Sequence, residues 1–335
     1  MLPDPDSIVT ALRDLQRRIR DAIVAHRRAA NLHQVSHQSS ADTIFKLDVL
    51  VEPAIERFCE EWGKTMPMVV VAEGIEPETG RVFPKGLKEG DAKIRVIMDP
   101  IDGTRGLMYD KRAAWSLAGA APNKGVKTML SDIEVSVMTE LPTSKMGQAD
   151  VLWAIKGRGA HGVRETLSTG NSDLAATKLV LSPSRAKTLA HGFASVSNFF
   201  PGTKVLAGRL MELLALKLLG KSAVKKASVF DDQYICTGGQ FYELIVGHDR
   251  FIADLRPLFY AVQHQEEGLC CHPYDCAAML IAQEAGVIIS DGLRDDLDGP
   301  IDVTTELSWA GFANETLRQK VQPVIVEFLA SCLPK

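Results

Sequence analysis

The segment VIMDPIDGTR, residues 96–105, carries a run of apolar residues directly into two aspartates separated by only two positions. Asp99 and Asp102 therefore fall at the end of a strand that the pattern predicts to be buried, where unpaired carboxylates are unfavourable. A simple turn would explain Pro100 and Gly103, because both residue types are common in turns. It would not explain the two charges, whereas a bound cation would. The segment therefore favours a fold in which this strand ends at a metal site.

Further acidic residues occupy comparable positions elsewhere in the chain. Glu73 follows the apolar run MVVVA, Asp42 and Asp48 precede the second predicted helix, and Asp275 falls in the first turn of the segment YDCAAMLIAQEAG. Carboxylates at strand ends and helix starts are the ligands that hard divalent cations such as Mg²⁺ require. Sequence spacing alone does not bring these residues together.

Hydrophobic periodicity and turn residues predict a mixed chain. Helices are expected at about 8–28, 48–62, 208–219, 274–286 and 315–329, the last capped by Asn314. Strands are expected at 68–72, 94–99, 115–121, 134–140, 150–156, 179–182, 227–230 and 287–290. Residues 237–247 suggest a glycine-led turn followed by a strand, and residues 75–92 suggest a loop or lid.

The order of these elements predicts an α/β (α+β) protein with a largely antiparallel sheet. A soft boundary near 175–180 divides it into two subdomains. Residues 1–178 form an N-terminal α+β subdomain with most of the metal ligands, and residues 179–335 form a C-terminal α/β subdomain that supplies Asp275 and substrate-binding residues.

Composition narrows the class of protein. The 335 residues are 46% hydrophobic and 24% charged, with a formal net charge of −4. No clustered basic face points to nucleic acid, and no uninterrupted apolar segment is long enough to span a membrane. The N-terminus is too acidic and too periodic for a signal peptide. The six cysteines show no CxxC pattern, so we expect reduced thiols and a cytoplasmic protein.

Several motifs together resemble the inositol monophosphatase superfamily of Mg²⁺-dependent, lithium-sensitive phosphomonoesterases. They are, in chain order, DTIFKLD at 42–48, VVAEG at 70–74, DPIDGT at 99–104, YDCAAMLIAQEAG at 274–286 and GFANETL at 311–317. The resemblance extends over residues 8–330. It implies the layered α-β-α-β-α sandwich of the inositol monophosphatase and sugar phosphatase type, a small phosphorylated substrate and a homodimer.

The resemblance also implies roles for individual residues. Two or three Mg²⁺ ions would be bound by Glu73, Asp99, the backbone carbonyl of Ile101, Asp102 and Asp275. Three residues would be catalytic: Asp48, Thr104 and Glu73. Thr104 and Asp48 would orient and deprotonate the attacking water, and Glu73 would help to hold a third ion. The backbone N–H groups of Gly103 and Thr104 would hold the phosphate.

The chain departs from the family pattern in several places. Gly74 stands where a second Glu is usual, Phe45 replaces a Thr, Tyr274 replaces a Trp, and Met279 replaces a Gly. The loop 75–92 and the stretch 248–272 are longer than in compact members. These departures leave the substrate open and are the only support for a non-catalytic, regulatory homologue that binds metal or phosphate.

The substrate-binding residues are predicted less directly. Glu243 is the best match by local context to a substrate-binding Glu of the family, with an insertion after it. Arg250 and Arg256 could bind a second phosphate, or they could be surface arginines. Inositol monophosphate is the family default, while a sugar phosphate, fructose 1,6-bisphosphate and 3′-phosphoadenosine 5′-phosphate remain alternatives. A haloacid-dehalogenase-type phosphatase is disfavoured, because its motif places one residue between the aspartates and this chain places two.

Overall fold

A computed structural model describes residues 1–26, 35–38, 43–75, 77–167, 176–266 and 268–332. For residues 35–38, 43–50, 224 and 225 it describes the backbone alone. Within these ranges the helices are α1 Pro5–His26, α2 Lys46–Gly63, α3 Thr104–Met108, α4 Lys204–Leu219, α5 Thr237–Ile245, α6 Arg256–Gln263, α7 Met279–Ala285 and α8 Glu315–Cys332. Short 3₁₀ helices occupy Glu89–Asp91, Leu130–Asp132 and Lys221–Lys225.

The strands in the described part of the chain form one two-stranded ribbon and two larger sheets. The ribbon is β1 Val35–Gln38 and β2 Thr43–Phe45. The strands of the eight-stranded sheet are β3 Met68–Ala72, β4 Arg81–Phe83, β5 Ile94–Asp102, β6 Ala114–Pro122, β7 Val135–Leu141, β8 Gln148–Ile155, β9 Ala160–Thr166 and β10 Ala176–Lys178. Those of the five-stranded sheet are β11 Gly192–Val196, β12 Val229–Phe230, β13 Asp249–Asp254, β14 Ile288–Ser290 and β15 Trp309–Phe312.

The eight-stranded sheet, in the order β10-β9-β8-β7-β6-β5-β3-β4, is antiparallel except for the pair β3 and β5, which lies next to the edge strand β4. Both faces of this sheet are buried. Met68 and Val70 of β3 belong to the core under α1 and α2, while Val69 and Val71 belong to the core on the opposite face. This is why MVVVA is apolar throughout rather than alternating.

The second face of this sheet packs against α5 and α7, which in turn cover one face of the five-stranded sheet. The other face of the five-stranded sheet carries α4, α6 and α8. The layers are therefore helix, sheet, helix, sheet, helix, and the predicted α-β-α-β-α sandwich is confirmed. The larger sheet uses strands up to residue 178 and the smaller sheet strands from 192 onward, and the subdomain boundary itself stays a prediction.

Most of the predicted elements are confirmed, among them α2, β3, β5 to β8 and β14. Asn314 caps α8, since its Oδ1 accepts the N–H of Leu317 at 3.1 Å. All six cysteines are free thiols. No helix in the described ranges has the length and apolar character needed to cross a membrane.

The prediction of a strand within 237–247 is wrong, because Thr237–Ile245 form helix α5. This helix lies between two sheets, so it is buried on several sides and shows no simple polar face. Its two glycines allow close packing rather than a turn. A Cβ on Gly238 would lie 2.6 Å from Leu117, and one on Gly239 would lie 2.3 Å from the ring of Tyr234.

Other expectations also need correction. Residues 179–182 are not a strand, since the edge strand β10 ends at Lys178 and the side chains of Leu179 and Leu181 turn to the core. The helix expected from residue 274 begins at Met279, after turns whose N–H groups bond three residues back. The loop 75–92 contains the edge strand β4, and the supposed insertion 248–272 supplies the central strand β13 and helix α6.

A buried polar cluster joins β7, β8 and β9 to α5. Arg164 donates two hydrogen bonds to Asp150, at 2.7 and 2.8 Å, and the Tyr242 hydroxyl donates to the same carboxylate at 2.6 Å. The carboxylate of Glu140 accepts the Asp150 N–H at 3.1 Å. Burial raises the pKa of Glu140 from 4.5 to about 7, with Asp150 and Glu243 adding repulsion and Arg164 opposing it.

Glu140→Gln should therefore change how stability depends on pH. Between about pH 4.5 and 7 the folded chain holds a proton on Glu140 that the unfolded chain releases, so the free energy of unfolding should fall as pH rises through this window. Gln keeps the acceptor and removes this contribution. The free energy of unfolding, measured by urea denaturation across this pH window, should fall less in the variant than in the unmodified chain. Asp249, whose pKa is also raised to about 7, contributes to both proteins, so their difference isolates Glu140. Equal slopes would contradict the prediction.

Candidate metal centre

The two aspartates of the DPIDGT segment are brought to one side of the sheet by an irregularity in β5. Asp99 pairs with Leu117 of β6 and Asp102 with Trp115, so three steps along β5 oppose two along β6. In a regular strand, residues three apart point to opposite faces, and a bulge of this kind removes that alternation. Both aspartates are buried, with exposed fractions of 2% and 5%.

Asp275 joins these two residues from the turns before α7. One carboxylate oxygen from each of Asp99, Asp102 and Asp275 lies within 4.8 Å of the other two. Each carboxylate is held by a backbone N–H: that of Ile101 at 2.8 Å, that of Gly238 at 2.5 Å and that of His272 at 2.6 Å, respectively. Strand, helix and turn backbone therefore fix the three oxygens in place.

Glu73 approaches the same group because β3 and β5 are parallel neighbours. Ala72 pairs with Met98, so Glu73, which follows β3, lies beside Asp99 of β5. The N–H of Glu73 bonds to the Met98 carbonyl at 3.4 Å, and its carboxylate lies close enough to Asp99 to raise the pKa of that group.

The electrostatics of these carboxylates are unfavourable without a cation. Burial raises the pKa of Asp99 well above its ordinary value, and repulsion from Glu73, Asp102 and Asp275 adds to this. Burial and then Asp275 raise the pKa of Asp102, although hydrogen bonds from Gly238 and Thr237 oppose the rise. A divalent cation would relieve both the burial cost and the repulsion. The donor set consists of carboxylate oxygens, which suits Mg²⁺.

The turn after β5 is shaped for close approach. Gly103 has φ 98°, in the left-handed region that glycine adopts without strain, and it precedes α3 directly. A Cβ at this position would lie 3.1 Å from Cβ of Cys236. The Thr104 hydroxyl donates to the Ile101 carbonyl at 2.8 Å, which fixes its orientation.

A cleft opens from the carboxylates, and most of the predicted site residues line it. These are Glu73, Asp99, Ile101, Asp102, Gly103, Thr104, Arg256 and Asp275. Asp48 lies near the start of α2, but its side chain falls outside the described part of the chain, and Asp42 lies wholly outside it. The catalytic role of Asp48 stays a prediction.

Two predicted substrate-binding residues lie away from the cleft lining. The carboxylate of Glu243 pairs with Nδ1 of His248 at 2.5 Å. The guanidinium of Arg250 donates to the carbonyls of Thr188, at 3.0 Å, and His191, at 3.2 Å. Their proposed roles stay predictions without a supporting contact among the described residues.

The cleft also contains residues that sequence reasoning did not single out. They are Arg105, Phe199, Phe200, Ile235, Cys236, Thr237, Leu269 and Cys270. Cys236 caps α5, its Sγ accepting the N–H of Gly239 at 3.3 Å. The prediction of a strand over 237–247 concealed this helix start. Phe199 and Phe200 follow β11, and the one available signal was that ligands bind beyond the carboxyl ends of parallel strands.

Comparisons with known proteins agree with this fold. The IMPase of Thermotoga maritima is 15% identical, with a TM-score of 0.60 over 95% of this chain and 96% of that one. The fructose-1,6-bisphosphatase of Leishmania major is 14% identical, with a TM-score of 0.65 over 95% of this chain and 92% of that one. An extragenic suppressor protein from Bartonella henselae is 16% identical, with a TM-score of 0.62 over 95% and 98%. No protein-family model and no curated protein sequence matches the chain.

The chain thus has a buried carboxylate centre within an α/β layered sandwich. More particularly, its fold is that of the inositol monophosphatase and fructose-1,6-bisphosphatase structures.

Mg²⁺ should stabilise the protein through Asp99. Occupation at a hundred times the dissociation constant would add about 2.7 kcal/mol to the free energy of unfolding. We expect Mg²⁺ to raise the thermal midpoint of the unmodified chain but not that of Asp99→Asn. Without Mg²⁺ the variant should be the more stable of the two, because a buried repelled charge is gone. Asp249→Asn, a buried aspartate outside the cleft lining, is the control and should keep the full response. An equal response in Asp99→Asn would contradict the assignment.

Gly238→Ala should disturb the same centre from the helix side. The new Cβ would lie 2.6 Å from Leu117 and 3.0 Å from Oδ2 of Asp102, so α5 or Asp102 must shift. We expect a loss of about 1–3 kcal/mol in stability and a weaker stabilisation by Mg²⁺. Gly208→Ala, within α4 where nothing lies within 4 Å, should instead be neutral or stabilising by up to about 1 kcal/mol. Thermal unfolding with and without Mg²⁺ measures both, and an unchanged Mg²⁺ response in Gly238→Ala would count against the role of α5.

Proposed function

We propose that this protein is a Mg²⁺-dependent phosphomonoesterase that hydrolyses inositol monophosphate or a related small sugar or polyol phosphate. The observation that carries the proposal is the convergence of Asp99, Asp102 and Asp275 beside Thr104 in one cleft. The names of the similar structures, which include an IMPase and a fructose-1,6-bisphosphatase, support the same class of reaction.

Glu73, Asp99, the Ile101 carbonyl, Asp102 and Asp275 would hold the metal ions. Bound Mg²⁺ neutralises the phosphate charge, lowers the pKa of water and stabilises the leaving oxygen. The backbone N–H groups of Gly103 and Thr104 would bind phosphate oxygens, and the absence of a Cβ at Gly103 leaves room for that approach.

Thr104 would orient the attacking water. Its hydroxyl hydrogen is committed to the Ile101 carbonyl, so its oxygen can accept a hydrogen bond from water. Asp48 is the proposed acceptor of the proton. The water oxygen would then bond to phosphorus while the bond to the alcohol oxygen breaks. The alcohol oxygen would take up a proton from solvent as it leaves, and Asp48 would return its proton to solvent. Such a reaction needs no covalent nucleophile from the protein.

Three finer features also belong to this proposal. Inhibition by lithium, a homodimer and a cytoplasmic location are expected from the sequence resemblance and the reduced cysteines. Fructose 1,6-bisphosphate and 3′-phosphoadenosine 5′-phosphate are the alternative substrates, and the position of Arg256 in the cleft favours a substrate with two phosphates. A non-catalytic homologue is the alternative from another class.

Phosphate release from a panel of phosphate esters tests the proposal. We expect turnover that requires Mg²⁺, that lithium suppresses and that falls about hundredfold or more in Asp99→Asn, because one ligand shared by the metal site is lost. Asp249→Asn should keep its activity. Mg²⁺ binding without turnover on any ester would favour the non-catalytic alternative, and Mg²⁺-independent turnover would refute the metal mechanism.

A further inference from the structure

Helix α4 carries a line of exposed residues on the outside of the sandwich. Its inner side is buried against the five-stranded sheet and α8 through Leu206, Ala207, Leu210 and Leu214. Residues spaced by four, three and four positions fall on one line along a helix. On the side of α4 away from the core, the exposed residues with this spacing, which we call the α4 stripe, are Val205, Arg209, Glu212 and Leu216.

The two ends of the α4 stripe are apolar. Val205 is 71% exposed and Leu216 is 42% exposed. Isolated apolar residues are common on protein surfaces, so these two alone would indicate little. Their position at the two ends of one line is more informative, because a surface that covers one along this line also covers the other. Burial of both would favour association.

The middle of the α4 stripe carries one charge of each sign. Residues three apart on a helix are close enough to pair. Nevertheless, within the part of the chain that the structure describes, neither Arg209 nor Glu212 forms an ion pair or a side-chain hydrogen bond. Lys217, to one side of the same helix, does pair with Glu327 of α8. The two charges of the stripe are therefore available to a partner.

The order apolar, basic, acidic, apolar makes the α4 stripe complementary to itself. Its four residues lie symmetrically about the midpoint between Leu210 and Met211. A second α4 packed antiparallel would therefore place Glu212 of the second copy opposite Arg209 and Leu216 of the second copy opposite Val205. A two-fold axis would repeat both contacts, as in an isologous interface.

A parallel arrangement in the same register would oppose like charges along the α4 stripe and is disfavoured. The antiparallel arrangement brings Lys204 toward Lys217 of the second copy. Glu327, which already accepts a hydrogen bond from Lys217, lies there to offset the two positive charges. Charge complementarity thus selects one orientation of the two helices.

We infer that the α4 stripe is a contact surface between two copies of this chain, packed antiparallel about a two-fold axis. The inference names a surface for the homodimer included in the proposed function, and it rests on that part of the proposal alone. A helix of this length extends about 24 Å, so it covers less than the roughly 800 Å² per partner of a standard interface. The dimer should therefore be reversible and dependent on concentration.

Charge reversal tests this inference by sedimentation equilibrium of the full chain between about 1 and 100 μM. We expect a monomer–dimer equilibrium. Arg209→Glu and Glu212→Arg each oppose like charges at both contacts, so each should raise the dissociation constant at least about tenfold. The double variant Arg209→Glu/Glu212→Arg opposes unlike charges again and should recover most of the association.

Glu61→Arg is the matched control for these variants. Glu61 is 76% exposed on α2, which covers the outer face of the other sheet, so its reversal should leave association unchanged. Three results would overturn the inference: a chain that stays monomeric throughout this range, single reversals that leave the dissociation constant unchanged, or a double variant that associates no better than the single ones.

Disulfide cross-linking tests the register independently. Under oxygen with copper phenanthroline, Val205→Cys/Leu216→Cys should form a covalent dimer, because each new thiol faces the other kind in the second copy. Neither single variant should cross-link through its new thiol, since equivalent residues would lie about 16 Å apart along the helix pair. The unmodified chain, whose six native thiols are free, is the control for background oxidation. Single variants that cross-link as well as the double variant, or a double variant that does not cross-link, would overturn the arrangement.

Association and turnover are measured separately, so the two proposals fail in different ways. A dimer that is weakened by the single reversals and recovered by the double variant supports the α4 stripe even if no phosphate ester is hydrolysed. Mg²⁺-dependent turnover by a chain that stays monomeric supports the proposed chemistry and overturns the α4 stripe. The α4 residues are absent from the lining of the carboxylate cleft, so the substitutions do not remove a residue of that site.

Discussion

The convergence of three carboxylates at one point is the constraint on which the surrounding structure depends. Asp99 and Asp102 are buried and Asp275 is partly exposed, and burial together with mutual repulsion raises the pKa of the first two. Each is nevertheless oriented by a backbone N–H, and the three N–H groups come from β5, α5 and the turns before α7. Such an arrangement opposes folding unless a cation completes it. The geometry is therefore one that a bound cation would stabilise.

The middle helical layer connects this centre to both sheets. α5 lies close enough to β6 that Gly238 meets Leu117 directly, and the same closeness lets its N–H reach Asp102. Tyr242 from the same helix stacks near Trp115, at 4.8 Å between centroids, and bonds to Asp150. The glycines that make the helix hard to recognise in the sequence are thus the residues that make its contact with the metal centre possible.

The sequence predicted the parts of the fold that depend on short stretches of chain. β3 and β5 were predicted because both faces of their sheet are buried, and the acids at their ends were predicted because charge there has few explanations other than a ligand. α5 was not, since a helix between two sheets lacks an amphipathic pattern. Phe199 was missed for a different reason. Its position in the cleft depends on β11 lying parallel to β13, a pairing of strands far apart in the chain that no local pattern records.

Two of the departures from the family motifs, Gly74 and Tyr274, have structural explanations. Gly74 has φ 71°, so the turn after β3 places it where glycine is favoured and a second Glu would be strained. Tyr274 stacks on His272 with 5.1 Å between centroids, and its hydroxyl bonds to Nδ1 of that ring at 3.1 Å. The backbone N–H of His272 in turn holds Asp275. Gly74 and Tyr274 are thus accommodated by their neighbours, with Asp275 still held in the cluster. This supports the proposed metal-dependent function over the non-catalytic alternative.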